Sequence, residues 1–499
     1  MSSFPLTIHS AEQIRALDRF AIDSLGIPGY TLMCRAAEAA LGALKQQWPR
    51  ARRITVLCGP GNNGGDGYVL ARLAQDAGLD VRVIAVASTA DLRGDAVRAF
   101  QDYRDAGGSA LRWDAAHLGE ADVIVDAILG TGLSRPVNED LSAVISWLNS
   151  SSIPILSIDI PSGLHADSGA VLGNAIHADA TITFIGLKLG FYLGQGPDHT
   201  GRLMFASLAL PAEAFSQALP SAIRIDELHI QHALPPRVRT AHKGMNGDVL
   251  IIGGGIGMPG AARLAGEAAL RSGAGRVTVA THPQNVASIV SGRPELMCRG
   301  VENSEALHSL MERADVLAIG PGLGQDEWAR EMWSAAASAD LPIVMDADAL
   351  NLLARNPRIW KGDKRVLTPH PGEASRLLNS STDAVQSDRL AAARALSERY
   401  EGVSILKGAC TIVAAQGRVP AICDRGNPGM ASPGMGDVLT GIVAGLLAQL
   451  QDVWLAAQVG VWVHASAGDK AAAKRGERGL IASDLFEYLG SCVNPTARF

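Results

Sequence analysis

The sequence predicts an α/β protein of two domains, and three observations carry that prediction. Both halves alternate short β-branched runs with longer amphipathic or Ala-rich segments, the pattern of parallel strands joined by helices. The runs end repeatedly in glycine-rich turns, and Gly accounts for 54 of 499 residues, as tight strand-to-helix connections require. A chain of 499 residues is also too long for one ordinary core. The break falls in residues 211–240, where Pro211-Ala212-Glu213, Leu219-Pro220 and Leu234-Pro235-Pro236-Arg237 interrupt both periodicities. The expected domains are therefore 1–220 and 221–499. No repeat relates them, so two different α/β domains are expected in one chain.

Composition excludes several classes of function. With 47% apolar and 19% charged residues the chain reads as globular, and a net charge of -6 without a Lys/Arg stripe argues against nucleic acid as a partner. The six cysteines (Cys34, Cys58, Cys298, Cys410, Cys423 and Cys492) are scattered without a CxxC, which suggests reduced thiols and a cytoplasmic protein. The segment Met1–Phe20 carries Glu12, Arg15, Asp18 and Arg19 and no apolar core, so no signal peptide is expected. The longest apolar run, around Val438–Ala448, is too short for a bilayer, so no membrane is expected either.

In the first half, a strand over Arg53–Cys58 runs into Gly59-Pro60-Gly61-Asn62-Asn63-Gly64-Gly65-Asp66-Gly67, and a helix is expected over Tyr68–Ala77. A glycine-rich turn between strand and helix lets a phosphate approach the backbone, although this one is neither GxGxxG nor a Walker motif, and alone it is equally a tight turn. Its neighbours add weight. Val123-Ile124-Val125 ends at Asp126 and opens Gly130-Thr131-Gly132-Leu133-Ser134-Arg135-Pro136. Ile155–Ile158 ends at Asp159 and turns through Pro161-Ser162-Gly163, and Thr181–Ile185 precedes Gly186-Leu187-Lys188. In a parallel sheet these loops share the edge where ligands bind. Asn63, Asp126 and the Ser162 region offer hard oxygen donors, which suit an alkali or alkaline-earth cation better than zinc. The alternative for each residue is a cap or turn hydrogen bond.

In the second half, a strand over Asp248–Gly253 enters Gly253-Gly254-Gly255-Ile256-Gly257-Met258-Pro259-Gly260-Ala261-Ala262, and an Ala-rich helix follows to Ser272. Later strand ends carry Gly320-Pro321-Gly322-Leu323-Gly324, Asp346-Ala347-Asp348, Thr368-Pro369-His370-Pro371-Gly372-Glu373 and Lys407-Gly408. His370, fixed between two prolines, reads as a ligand contact; Lys407 is either a phosphate contact or a solvated strand terminus. The most informative stretch is Asn427-Pro428-Gly429-Met430-Ala431-Ser432-Pro433-Gly434-Met435-Gly436-Asp437. It delivers one carboxylate at the start of a buried helix, where unpaired amides and the helix dipole form an anion site. A base beside a bound anion suits phosphoryl transfer. The plainer alternative is an N-cap in which Asp437 does no chemistry.

These motifs carry a family resemblance over nearly the whole chain. The first half, through Gly59 to Gly67, Asp126 to Pro136 and Asp159 to Gly163, resembles the NAD(P)H-hydrate epimerase domain, a Rossmann-like three-layer α/β/α fold. The second, through His242-Lys243-Gly244, Gly320 to Gly324, Thr368 to Glu373 and Gly434-Met435-Gly436-Asp437, resembles the ADP- or ATP-dependent NAD(P)H-hydrate dehydratase, a ribokinase-like fold. The order is that of bacterial bifunctional nicotinamide-nucleotide repair enzymes. The resemblance implies a potassium ion on Asn63, Asp126 and Ser162. It implies hydrate contacts from Asn62, Asn63, Gly64, Gly65 and Asp66, from Gly130, Thr131, Gly132, Leu133, Ser134, Arg135 and Pro136, from Asp159, the expected acid/base, and from Lys188, which would hold phosphate or tune Asp159. In the second domain it implies Asp437 as base, with Ala261, Gly322 and His370 around the hydrate. Lys407, Gly408, Ala409, Cys410, Thr411 and Gly436 would contact ADP, accompanied by Mg2+. NADH hydrate and NADPH hydrate are the implied substrates, and a homo-oligomer is the implied assembly.

Two residues depart from the family pattern. Cys34 replaces a usual Glu in Met33-Cys34-Arg35-Ala36, and Pro433 replaces a usual Gly before Gly434, removing one amide donor. Two other functions remain open on sequence alone: a ribokinase-like kinase for a small hydroxymethyl compound, and a first domain that only binds.

Overall fold

The computed structural model describes residues 4–118, 120–356 and 363–495; the ends of the expected domains, 1–3 and 496–499, lie outside the described residues. The chain divides into two compact units, Met1–Ala222 and Ile223–Phe499. Among the described residues no helix is long and apolar enough to cross a membrane, and all six cysteines are free thiols.

The first unit is built on a seven-stranded parallel sheet in the spatial order Ala110–Arg112, Asp80–Ala85, Arg53–Cys58, Val123–Ala127, Ile155–Ile158, Ala180–Phe184, Arg202–Ala206. The central strands are buried along their length and rich in Val and Ile, as strands covered on both faces must be. The chain winds outward from Arg53–Cys58 in one direction and returns to wind the other way from Val123–Ala127. This reversal leaves a crevice beyond the carboxyl ends of those two strands.

The helix after the first of these strands begins at Asn62, not at Tyr68 as expected, and runs to Asp76. Glycines are poor helix formers, so the run reads as a loop. Here each glycine instead removes a side chain that close packing forbids. A Cβ on Gly64 would stand 1.9 Å from the Gly59 carbonyl oxygen, and one on Gly67 2.7 Å from the Ala127 methyl. The helix is thereby drawn onto the sheet, and its first turn lies against the crevice.

The second unit carries a parallel run in the order Met297–Gly300, Arg276–Thr281, Asp248–Ile252, Val316–Ile319, Ile343–Met345, Arg365–Leu367, Val403–Leu406, continued antiparallel by Thr411–Ala414 and Ala421–Cys423. Again the winding reverses beside the first strand, between Asp248–Ile252 and Val316–Ile319. The loops that follow these strands are laced together: Gly254 N donates to Pro321 O at 3.0 Å and Gly255 N to Gly322 O at 2.7 Å. The Ala-rich helix spans Pro259–Arg271 and packs against the helix Met435–Leu450, most of whose residues are buried. That second helix starts at Met435, and the long helix Val453–Arg475 lies on its other side.

Contact between the Ala-rich helix and Met435–Leu450 is nearly backbone to backbone. A Cβ on Gly441 would stand 2.0 Å from the Ala265 carbonyl oxygen. Gly441→Ala adds helix propensity of about 1 kcal/mol, yet it must push the helices apart at a cost of about 1–3 kcal/mol or more. We expect a lower thermal unfolding midpoint for this variant and a weakened Asp437 site; an unchanged or raised midpoint would show that the contact is not tight.

Candidate functional sites

In the first unit a cleft of about 630 Å³ opens at the crevice. Its lining includes Asn62, Asn63, Asp66, Gly130, Thr131, Gly132, Leu133, Ser134, Arg135 and Asp159, together with the apolar Ile14, Ile22, Leu32, Met33, Phe184 and Leu208. Gly64, Gly65 and Pro136 do not line it; the two glycines are buried in packing against the Gly59 backbone and the Met33 side chain. Asp159 follows the strand Ile155–Ile158 in a left-handed conformation (φ 70°), which turns its carboxylate into the crevice. Lys188 Nζ donates to Asp159 Oδ1 at 2.6 Å, and the Thr131 amide donates to Oδ2 at 3.1 Å. The Lys188 side chain is 0% exposed and also donates to Thr183 Oγ1 and to the Phe184 carbonyl. Lys188 therefore stands behind Asp159, outside the cleft wall.

Two further carboxyl groups face the same cleft. Burial and the neighbouring Asp159 and Asp18 charges push Asp66 well above the usual carboxylate range, and Lys188 opposes them only partly. Burial, then Asp159, raises Asp18 to about 6. Asp18 stands in the sequence merely as one charge of the N-terminal segment. Only its place on the helix Ala11–Asp23, on the side of the cleft-lining Ile14 and Ile22, could mark it.

The proposed cation donors lie around one turn. Asp126 is fully buried; its Oδ2 accepts Ser157 Oγ at 2.8 Å and Ser162 N at 2.9 Å, while Oδ1 accepts Ser162 Oγ at 2.6 Å. Despite these bonds, burial keeps its pKa above the ordinary value, which marks a site short of positive charge. Asn63 is buried, and neither its Oδ1 nor its Nδ2 has a hydrogen-bond partner. An orphaned amide oxygen, a buried carboxylate and a hydroxyl make a hard donor set that fits an alkali cation.

In the second unit the candidate base sits in the first turn of Met435–Leu450. The N-cap is Gly434 (φ 88°) with no side-chain cap bond, and no protein donor reaches the Asp437 carboxylate among the described residues. Asp437 is therefore not a cap. Burial first, then the Asp346 charge, raises it to about 7. Pro433 is exposed and precedes Gly434, so the amides of Met435, Gly436 and Asp437 are untouched by that departure.

Beside this helix end lies an ion-pair network that strand-end reading of Lys407 does not resolve. The Lys407 ammonium is not a solvated terminus: Nζ donates to Asp346 Oδ1 at 2.7 Å and lies 3.7 Å from Glu373 Oε2. Thr440 Oγ1 donates to Asp346 Oδ2 at 2.9 Å. Burial alone would raise Asp346, but the charge and hydrogen bond of Lys407 hold it below the usual range. A Cβ on Gly436 would lie 3.2 Å from Lys407 Nζ, so this network abuts the helix start. Asp346 and Glu373 stand inside strand-end motifs that give neither of them a role, and Thr440 is a lone polar residue inside an apolar helix, so all three become candidates only through this network.

The remaining expected residues fall into two groups. Gly322 (φ 58°) sits against Ala261, since a Cβ on it would lie 3.0 Å from the Ala261 methyl. His370 caps the helix Pro371–Leu378, its Nδ1 accepting from Gly372 N at 3.0 Å while Glu373 accepts from His370 N at 2.8 Å. Burial lowers its pKa, and the half-exposed ring faces Glu373 and Lys407. Lys407-Gly408-Ala409-Cys410-Thr411 forms the turn between two antiparallel strands, held by the buried Arg389, which donates to the Leu406, Lys407 and Ala409 carbonyls. Gly408 and Ala409 are exposed, whereas burial pushes the Cys410 thiol up to about 12. In the first unit, Cys34 lies on the helix Gly29–Gln47 and does not line the cleft, although Met33 and Ala36 do.

Both units of the chain are similar to known proteins. A family profile described as NAD(P)H-hydrate dehydratase matches residues 249–490, and one described as the YjeF-related protein N-terminus matches residues 29–190. The bifunctional NAD(P)H-hydrate repair enzyme Nnr of Coxiella burnetii is 46% identical over 489 residues, covering 98% of this chain and 99% of that protein. The Escherichia coli enzyme of the same name is 47% identical over 493 residues, covering 99% and 95%. A ribokinase-like superfamily protein from Enterococcus faecalis superposes with a TM-score of 0.52 at 28% identity, covering 56% of this chain and 98% of its own. Identity at this level across almost the full length of both proteins leaves one assignment: the chain belongs to the family of bifunctional NAD(P)H-hydrate repair enzymes.

Proposed function

We propose that residues 1–220 interconvert the two epimers of hydrated NADH and NADPH and that residues 221–499 dehydrate the S form to NAD(P)H, with ADP as phosphoryl donor. The observation that carries this reading is the presence, in one chain, of two strand-end sites, each with a carboxylate poised for proton transfer. One is Asp159 on Lys188; the other is Asp437, pushed to about 7 beside an uncapped helix start.

In the first unit the hydrate's ring nitrogen expels its neighbouring hydroxyl, water returns to either face, and Asp159 moves the proton. The apolar walls, Leu32, Met33 and Phe184 among them, would keep bulk water from the ring, while Asn62, Asp66 and the Gly130–Arg135 loop position the substrate. Gly64, Gly65 and Pro136 act through packing and loop shape in this reading. Asn63, Asp126 and Ser162 would hold potassium, whose charge compensates the buried carboxylate and orders the turn. In the second unit Asp437 takes the proton of the hydrate hydroxyl as that oxygen attacks the terminal phosphoryl group of ADP. The Gly434–Gly436 amides hold the phosphoryl charge as AMP departs; the ring nitrogen then expels phosphate, and the adjacent ring carbon gives up a proton to solvent as the ring double bond re-forms. Ala261, Gly322 and His370 line the hydrate side, and the Lys407–Thr411 turn with Gly436 the nucleotide side. Magnesium would be carried on the nucleotide phosphates. Free thiols throughout fit a cytoplasmic setting, and a homo-oligomer completes the reading.

The test is reduced-nicotinamide absorbance on adding the full chain to mixed-epimer NADPH hydrate with magnesium, potassium and either ADP or ATP. Complete recovery, faster than spontaneous epimer exchange, is expected with ADP. Recovery of one epimer's share would reduce the first unit to a binding module, and a stable phosphorylated product would make the second a kinase.

Asp437 must be ionised to act, so its raised pKa places the acid limb of dehydration near pH 7: turnover is full above that range and falls as pH drops through it. Asp437→Asn should lower dehydration about 10²–10⁴-fold with nucleotide affinity nearly unchanged in a binding titration; normal turnover would refute the assignment. Asp159→Asn should lower epimerisation by a similar about 10²–10⁴-fold, read by chromatography of a single epimer, and leave dehydration of the S form intact.

A further inference from the structure

Three carboxyl groups from three separate elements line the first cleft: Asp18 on Ala11–Asp23, Asp66 on Asn62–Asp76 and Asp159 after Ile155–Ile158. Their partners are unequal. Asp159 accepts from two donors, the Lys188 ammonium and the Thr131 amide. No protein hydrogen bond reaches the carboxyl of Asp66 or Asp18 among the described residues. The single buried ammonium therefore serves one carboxylate, and Asp66, on the second turn of a helix drawn tightly onto the sheet, is left facing the cleft without a counter-ion.

Resting on the proposed epimerase reading, we infer that Asp66 is a second catalytic residue: a neutral carboxylic acid that protonates the departing hydroxyl, opposite in role to Asp159. The balance is closed. The ring-nitrogen lone pair moves into a C=N bond as the carbon–oxygen bond breaks, and the Asp66 proton joins the oxygen to give water. Water then adds to the other face, its oxygen forming the new bond while Asp159 takes the released proton. The reverse epimerisation exchanges the two roles, and solvent resets the pair between turnovers. A carboxyl group kept neutral can donate where an ionised one cannot. Burial and the Asp159 and Asp18 charges both favour the neutral form of Asp66, against Lys188. Arg15, Asp95 and Arg135 also line the cleft, the two arginines exposed. Asp18, raised to about 6 by burial and then by the Asp159 charge, is the other carboxyl that could donate, so its variant is tested beside those of Asp66.

The experiment follows a single epimer of NADPH hydrate by chromatography, without nucleotide and at constant potassium, using the full chain and its Asp66→Asn, Asp66→Glu and Asp18→Asn variants across pH. An acid works only below its pKa, so wild-type epimerisation should fall at alkaline pH. Asp66→Asn should cut the neutral-pH rate about 100-fold or more and abolish that alkaline fall, whereas Asp66→Glu and Asp18→Asn keep it. An unfolding transition of the first unit that is unchanged in Asp66→Asn shows that the unit bearing the variant is folded, and unchanged dehydration of the S epimer with ADP shows the same for the second. An Asp66→Asn rate within threefold of wild type, or a lowered rate that retains the alkaline fall, overturns the role of Asp66. Loss of the fall in Asp18→Asn instead transfers it to Asp18. A wild-type chain that does not epimerise at all would sink the underlying function, a result distinct from either.

Discussion

A lysine ammonium taken out of water must be paired with a carboxylate, and this requirement organises both sites. Lys188 is fully buried and bonded to Asp159 at 2.6 Å; Lys407 is mostly buried and bonded to Asp346 at 2.7 Å. Removing one partner of such a pair strands a charge at a cost of about 3–5 kcal/mol. Each pair is thus locked, and each locks a strand end: Asp159 follows Ile155–Ile158 and Asp346 follows Ile343–Met345. The site walls inherit their rigidity from these bonds. The Thr131 amide ties the Gly130–Pro136 loop to Asp159, and Thr440 ties the helix bearing Asp437 to Asp346.

Pairing one carboxylate has a second consequence. Its neighbours see an added negative charge but no free cation, so their protonated forms gain. Asp437 rises to about 7 and Asp66 rises well above the usual carboxylate range, with burial as the larger cause and the paired aspartate's charge among those that follow. The same arrangement, an ion pair with an unpaired carboxyl beside it, recurs on two unrelated α/β units. An ordinary aspartate is therefore given a raised pKa by controlling which neighbour receives the lysine, the condition that the proposed proton transfers require.

Much of this was legible in the residues. Strands and their glycine-rich ends are marked by β-branched runs, and the parallel-sheet rule alone gathers Asn63, Asp126, Asp159 and Ser162 to one edge. The helix over Asn62–Asp76 was less legible, because its glycines serve contacts with Gly59 and Ala127 that are remote from any local propensity. Asp18, Asp346, Glu373 and Thr440 share that difficulty: nothing in their immediate sequence says which distant group they meet. Lys407 reads as a phosphate contact or a solvent-exposed end until Asp346, 61 positions away, is placed against it. Helix caps blur in the same way. His370 reads as a ligand residue, while its Nδ1 in fact terminates a helix and only the rest of the ring remains available.

Gly434 shows how a missing side chain can be functional. A Ser, Thr or Asp at an N-cap would satisfy one of the first amides and draw the helix end into a closed local network. Had Asp437 itself folded back to that role, hydrogen bonds to its ionised form would lower its pKa and consume the amides together. With Gly434 at the cap, in a left-handed conformation and with no side-chain bond, both resources stay free: amides for an anion and a carboxylate at about 7 for a proton. Backbone conformation carries the choice, since φ 88° is a left-handed geometry that residues with a Cβ rarely adopt. A Cβ there would also meet Leu264 Cδ1 on Pro259–Arg271 at 2.7 Å, so the open helix end and the chemistry proposed for it both depend on the conformation that glycine permits.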